Sequence, residues 1–194
     1  MSQNVDLRVQ RTLAQIRDAF MALLLEKPFD QISVSELAQR ARINRATFYR
    51  HYTDIHDLAA RLTDLLFADT VSQFDDQGGD SSAAEWQILF DHVAQFAPFY
   101  RAMMGPGGIP GFRERVETAV AQQMTQFLPA FGFDPANLQM PQALAVRYMA
   151  AAQVGFIQWW LENDMPFSPE TAAAHLINLH LRGGSWALGL TIND

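Results

Sequence analysis

Leu13, Ile16, Phe20, Leu23 and Leu24 recur at helical spacing, with polar residues between them, and predict an amphipathic helix over about 8–26. "KPFD" ends it, because Pro28 cannot continue a helix. In "SVSE", Ser33 followed three residues later by Glu36 is a capping box, which predicts a short helix over about 33–40. Asn44 is a good cap for another short helix, from 45 to about 51. Asp54 then caps a long helix that carries Ile55, Leu58, Leu62, Leu65 and Leu66 on one face.

The polar, glycine-containing stretch "DDQGGDSS" (75–82) is the strongest boundary signal. Beyond it, Ser82 and Glu85 form a second capping box that opens a helix to about Ala97, and Pro98 starts another. "GPGGIPG" (105–111) reads as a loop, followed by a helix to about Phe131. "GFDPANLQMP" is a further loop. The last two helices span about 141–163 and 169–189, the second capped by Ser168 with Pro169 at its first position. No segment alternates with the period of a strand, and no internal repeat is evident. The pattern predicts an all-α protein of about nine helices.

The helix at 141–163 is apolar nearly all round, which requires cover on every side. A second subunit is the natural cover in so small a body, with Ala150, Ala151, Ala152 and Gly155 allowing close approach. The final helix offers Leu176, Leu179 and Gly183 beside polar His175 and Arg182. A homodimer through the last two helices is therefore expected.

Composition narrows the chemistry. At 194 residues with 49% hydrophobic content, the chain is an ordinary folded protein. It has no cysteine, which excludes disulfides, thiol catalysis and thiolate-bound metal. The longest nearly apolar run, "MAAAQVGFIQWWL", is 13 residues with two glutamines, short of the ~20 a membrane-spanning helix needs. The N-terminus has no apolar core of signal-peptide length, so a cytoplasmic protein is expected.

Charge is unevenly spread. The formal net charge is −7, yet residues 1–61 carry +2 and residues 62–194 carry −9. Between Arg40 and Arg50 stand four arginines and no acid. Screening confines charge effects to roughly 8 Å at physiological salt, so a ligand at this segment meets the local arginines.

The two short helices, joined by "ARIN", form a helix-turn-helix pattern. Ala38 supplies the small residue where the helices cross, and Ile43, Phe48 and Tyr52 supply the inner face. Arg45, Ala46, Tyr49 and Arg50 then point outward, alongside Thr47. Such a face fits the DNA major groove, where arginine pairs bidentately with guanine and a methyl group meets thymine. Taken singly, each arginine is better explained by solvation and each tyrosine by packing; their joint spacing is not. A metal site in "HYTDIHD" (His51, Asp54, His56, Asp57) is not expected, since Asp54 serves better as a cap and His51 lies on the second short helix.

"ISVSELAQRARINRATFYRHYTDIHDL" resembles the DNA-binding signature of the TetR (tetracycline-repressor-like, TetR/AcrR) family of transcriptional regulators, with "T-F-Y-R-H-Y" and the following Leu58 its most specific part. The resemblance implies a three-helix DNA-binding head over 1–53. It further implies a helical ligand-binding and dimerising body over 54–194, with 54–76 as the linking helix. By position, Ser33 and Ser35 match the start of the second helix, where phosphate contacts arise. Arg45, Ala46 and Thr47 match the base-reading start of the recognition helix, and Tyr49 and His51 match its phosphate-contacting positions. With Asn44 and Arg50 these make the candidate DNA-binding set. Two positions depart from the family pattern: Ile55 stands where lysine is usual, and Arg42 where glycine is common in the turn.

The body is rich in aromatic residues, and Tyr148, Gly155, Trp160 and Leu161 resemble a regulatory-domain subgroup of the same family. Most of these aromatics are expected in the core. Candidates for a small apolar or aromatic effector are Phe96, Tyr100, Met103, Met104, Phe127 and Trp159, with His92 and Gln153 as polar groups. The resemblance implies a regulator, by family habit a repressor, released from a palindromic operator by such an effector, with no cofactor. The alternative is an adaptor of the same fold that works through a protein partner without binding DNA itself. No nucleophile–base pair, phosphate loop or glutamate–histidine helix motif points to an enzyme.

Overall fold

The computed structural model describes residues 2–76, 82–128 and 134–188. Among these residues there are nine α-helices and no strand: α1 Ser2–Glu26, α2 Val34–Arg40, α3 Arg45–Tyr49, α4 Ile55–Asp76, α5 Ser82–Gln95, α6 Ala97–Met104, α7 Phe112–Phe127, α8 Gln142–Glu162 and α9 Pro169–Ala187. None of them is long and apolar enough to cross a membrane. The chain forms two compact units, Met1–Val71 with Pro98–Ile109, and Ser72–Ala97 with Pro110–Asp194.

In the first unit, Ile16, Phe20 and Leu23 of α1 are fully buried, as are Leu37 of α2, Phe48 of α3 and Leu58 of α4. They are the inward residues that the helical spacing marks. Phe29, in a single 3-10 turn between α1 and α2, bridges them by meeting Phe20 edge-on at 6.2 Å and the His56 ring at 5.0 Å. α1 begins at Ser2, about two turns earlier than its apolar spacing indicates.

Local capping sets where the short helices begin. The Ser33 hydroxyl accepts from the Glu36 N–H at 3.2 Å, and the Asn44 side chain accepts from the Ala46 N–H at 2.8 Å. Asp54 accepts from the Asp57 N–H at 2.8 Å to start α4. Between α2 and α3 the Ile43 N–H closes on the Ala38 carbonyl at 2.9 Å, and Arg42 is left-handed with φ 56°. A side chain there crowds its own carbonyl, which costs about 1 kcal/mol. Arg42→Gly should therefore raise the unfolding free energy by about 1 kcal/mol in chemical denaturation while Arg42→Ala gains nothing. Equal stability of all three proteins would refute the strain.

In the second unit α5 packs on α9, and α8 packs on α7 and α9. Phe90 and Trp160 are fully buried and meet edge-on at 5.2 Å, and the Trp160 indole N–H donates to the Phe167 carbonyl at 3.0 Å. α8 ends in a tight turn with Asp164 and Met165 both left-handed (φ 56° and 51°), where the Met165 N–H returns to the Trp160 carbonyl at 2.8 Å.

α8 buries Val146, Ala150, Gln153, Val154, Ile157, Trp160 and Leu161. A stripe of Leu144, Tyr148, Ala152 and Trp159 stays exposed along it. The last helix is not continuous: Gly183, at φ 79° and ψ 171°, interrupts α9. The expected helix end at Phe131 and the expected Ser82 cap lie outside the described residues and side chains.

Candidate nucleic-acid interface

Phe48 anchors the short third helix. Its ring is wholly buried, with Tyr49 edge-on at 5.6 Å and Tyr52 at 5.5 Å. A five-residue helix with one buried anchor presents its other side chains outward. Arg45, Ala46 and Arg50 are exposed, Tyr49 is half exposed, and Thr47 is half buried. Thr47 accepts a hydrogen bond from the Arg50 guanidinium at 3.3 Å.

Ser35 and Asn44 are also exposed, and so is Ser33, whose hydroxyl is occupied as a cap. His51 is half buried beside Tyr52. The Tyr52 ring lies under the Arg61 guanidinium at 5.6 Å, and burial pushes its phenol above the usual tyrosine range. Ile55 is buried, so its side chain belongs to the core of the head and offers no polar group at the surface.

Three carboxylates of the first unit are already engaged in ion pairs. Glu26 pairs with Arg40, and that hydrogen bond holds its carboxyl below the ordinary range. Glu36 pairs with Lys27. Asp57 accepts from Arg61 at 2.8 Å and from the Thr53 N–H at 2.9 Å, which together hold it below the ordinary range. Arg42, Arg45 and Arg50 remain exposed with no ion pair to any described residue. Arg42 stood outside the candidate set; its place in an acid-free run of arginines is the signal that marks it.

The candidate effector residues divide between the two units. His92 and Gln153 are buried in the second, where Phe96 lies 4.9 Å from the His92 ring. The Gln153 side-chain oxygen is buried with no hydrogen-bond donor among the described residues. Trp159 is half exposed and stacks on Phe167 at 6.2 Å, while its neighbour Trp160 takes the core position. Tyr100, Met103 and Met104 belong to the first unit, with Tyr100 and Met103 buried; burial drives the Tyr100 phenol far above the usual tyrosine range. The Phe127 side chain lies outside the described residues. An open groove between α7 and α8, flanked by Glu117, Thr118, Gln142 and Arg147, involves none of these candidates.

Capped helices meeting across a tight turn, a free cationic ridge on the second of them, and a separate helical unit define a helix-turn-helix regulator. The chain belongs to the TetR family. Residues 16–62 match the family of bacterial regulatory proteins of that name, and residues 85–181 match a transcriptional regulator C-terminal region of the same group.

It is 23% identical over 185 residues to YxbF of Bacillus subtilis (strain 168), an uncharacterized HTH-type transcriptional regulator, an alignment covering 90% of this chain and 46% of that protein. The chain spans about half the length of the curated relatives it matches. Among solved structures, a TetR regulator from Streptococcus agalactiae 2603V superposes with a TM-score of 0.70 at 19% identity, covering 93% of this chain and 99% of that one. DhaS, an activator of a dihydroxyacetone kinase operon, superposes with a TM-score of 0.68 at 21% identity, covering 88% and 94%. Both likenesses concern the fold.

Proposed function

We propose that two copies of this chain bind a palindromic operator through their α3 ridges and regulate transcription there, as a repressor released by a small molecule. The observation that carries this reading is the ridge of Arg45, Ala46, Thr47, Tyr49 and Arg50, whose cations have no ion pair to any described residue while Glu26, Glu36 and Asp57 are paired elsewhere. Two-fold related ridges about one DNA turn (~34 Å) apart read successive major grooves. Arg42 adds a phosphate-binding charge at the turn, where Ile55 provides none.

The experiment is selection of fragments from genomic DNA by the purified protein. An enriched palindrome supports the reading; no retained fragment at low salt favours the adaptor. DhaS shares this fold and is an activator, so the sign of control is read from a reporter carrying the selected site, with repression expected.

The dimer is proposed to form over α8 and α9. Leu144 (59% exposed), Tyr148 (71%) and Trp159 (51%) align along α8, and Leu181 (79%) is exposed on α9. A run of large apolar side chains in water marks an association surface. Analytical ultracentrifugation should find a dimer at micromolar concentration and a monomer for Tyr148→Glu; a monomeric wild type would overturn the interface.

The effector is proposed to bind in the second unit beside His92, Phe96 and Gln153. A buried acceptor without a donor costs about 1–3 kcal/mol, and the Gln153 oxygen favours an apolar molecule that carries one hydrogen-bond donor. An effector that binds the off-DNA state 100-fold more tightly supplies about 2.7 kcal/mol toward release.

A further inference from the structure

Residues 1–61 contain nine lysines and arginines. Four are tied in ion pairs: Arg17 with Asp18, Lys27 with Glu36, Arg40 with Glu26 and Arg61 with Asp57. Three lie free on the helix-turn-helix motif. The remaining two, Arg8 and Arg11, stand on α1, exposed and without an ion pair to any described residue.

Nothing in the first unit accounts for the part of α1 that carries them. Residues 7–11 are all exposed, Leu7 to 51%, and the first buried residue of the helix is Ile16. Three residues apart, Arg8 and Arg11 share one face and repel each other.

The direction of α1 places this patch. At its C-terminal end, Glu26 and Lys27 reach α2 through Arg40 and Glu36. Six residues before Glu26, Phe20 reaches the start of α4 through Phe29, which meets Phe20 at 6.2 Å and the His56 ring at 5.0 Å. The helix thus runs from α2 past the start of α4, which follows the recognition helix, and continues beyond it. At 1.5 Å per residue, Arg11 lies about 9 Å and Arg8 about 13 Å farther along the α1 axis than Arg17.

We infer that Arg8 and Arg11 form a second phosphate-binding patch, which holds DNA backbone outside the stretch read by α3. The chain is acidic overall, so two exposed arginines with no ion pair to a described residue, in the same unit as the cationic ridge, suit a polyanion. Double-stranded DNA offers a phosphate every ~3.4 Å along each strand. The inference rests on the DNA-binding reading, and the test separates the two.

The probes are two duplexes carrying the sequence selected from genomic DNA, one trimmed to the palindrome and one extended by a helical turn on each side. Fluorescence anisotropy is followed as a function of salt. On the extended duplex, Arg8→Ala with Arg11→Ala should weaken binding and flatten the log–log salt dependence by about two units for each bound head. On the trimmed duplex the variant should match the wild type. Alanine favours the helix, so circular dichroism should be unchanged, and the double lysine variant should restore the salt slope. Identical behaviour of variant and wild type on the extended duplex overturns the patch while sparing the DNA-binding reading. Failure of the wild type to bind either duplex removes both.

Discussion

Arg45→Ala and Tyr49→Ala should each abolish the sequence-specific shift of the selected operator while leaving the protein folded. Arg45 is exposed at the first position of α3 and holds no ion pair to any described residue, so its removal costs the fold little. On DNA, a bidentate arginine–guanine contact carries roughly 1–3 kcal/mol of discrimination, and a two-fold dimer loses it in both half-sites. Tyr49 is half exposed and meets Phe48 only by a ring edge, so its loss also falls on binding more than on packing. Phe48→Ala is the contrasting variant: its ring is fully buried, and a large-to-small change there costs roughly 3–5 kcal/mol of stability. Mobility shift and thermal melting, run together, distinguish the two kinds of loss. A specific shift that survives both Arg45→Ala and Tyr49→Ala would end the assignment of α3 as the reading element.

Trp160→Ala should destabilise the second unit by roughly 3–5 kcal/mol, a large share of the roughly 5–15 kcal/mol that holds a typical domain folded. The substitution leaves a cavity against Phe90 and removes the donor that satisfies the Phe167 carbonyl at 3.0 Å. Trp159→Ala, one residue away, should barely move the denaturation midpoint at concentrations where the chain is monomeric. Its ring is half exposed, and its main neighbour is Phe167. If α8 forms the dimer seam, Trp159→Ala should instead weaken association in ultracentrifugation. Equal destabilisation by the two substitutions would show that both rings serve the core alike.

What the amino-acid sequence determined by itself was set by interactions a few residues long. Ser33 with Glu36, Asn44 with Ala46, and Asp54 with Asp57 are hydrogen bonds spanning two or three positions. The residue types and spacing that make them are readable in the chain, and so were the helix starts. The left-handed Arg42 was marked only through the family resemblance, which commonly has glycine there, because an arginine by itself does not signal a positive φ. Outward and inward residues of α3 followed from helical period around a single apolar anchor, Phe48.

Only the tertiary structure decided the rest. In α8, apolar nearly all round, the period has no polar face to set its phase; packing alone put Trp160 in the core and left Trp159 half exposed. Which arginines are free depends on which acids are taken, and Arg40 meets Glu26 across 14 positions while Lys27 meets Glu36 across nine. Such pairings arise only when folded helices are brought side by side, because no local rule links residues that far apart. The cations of the ridge, and Arg8 and Arg11 in the exposed stretch 7–11 of α1, are what that pairing leaves over among the described residues.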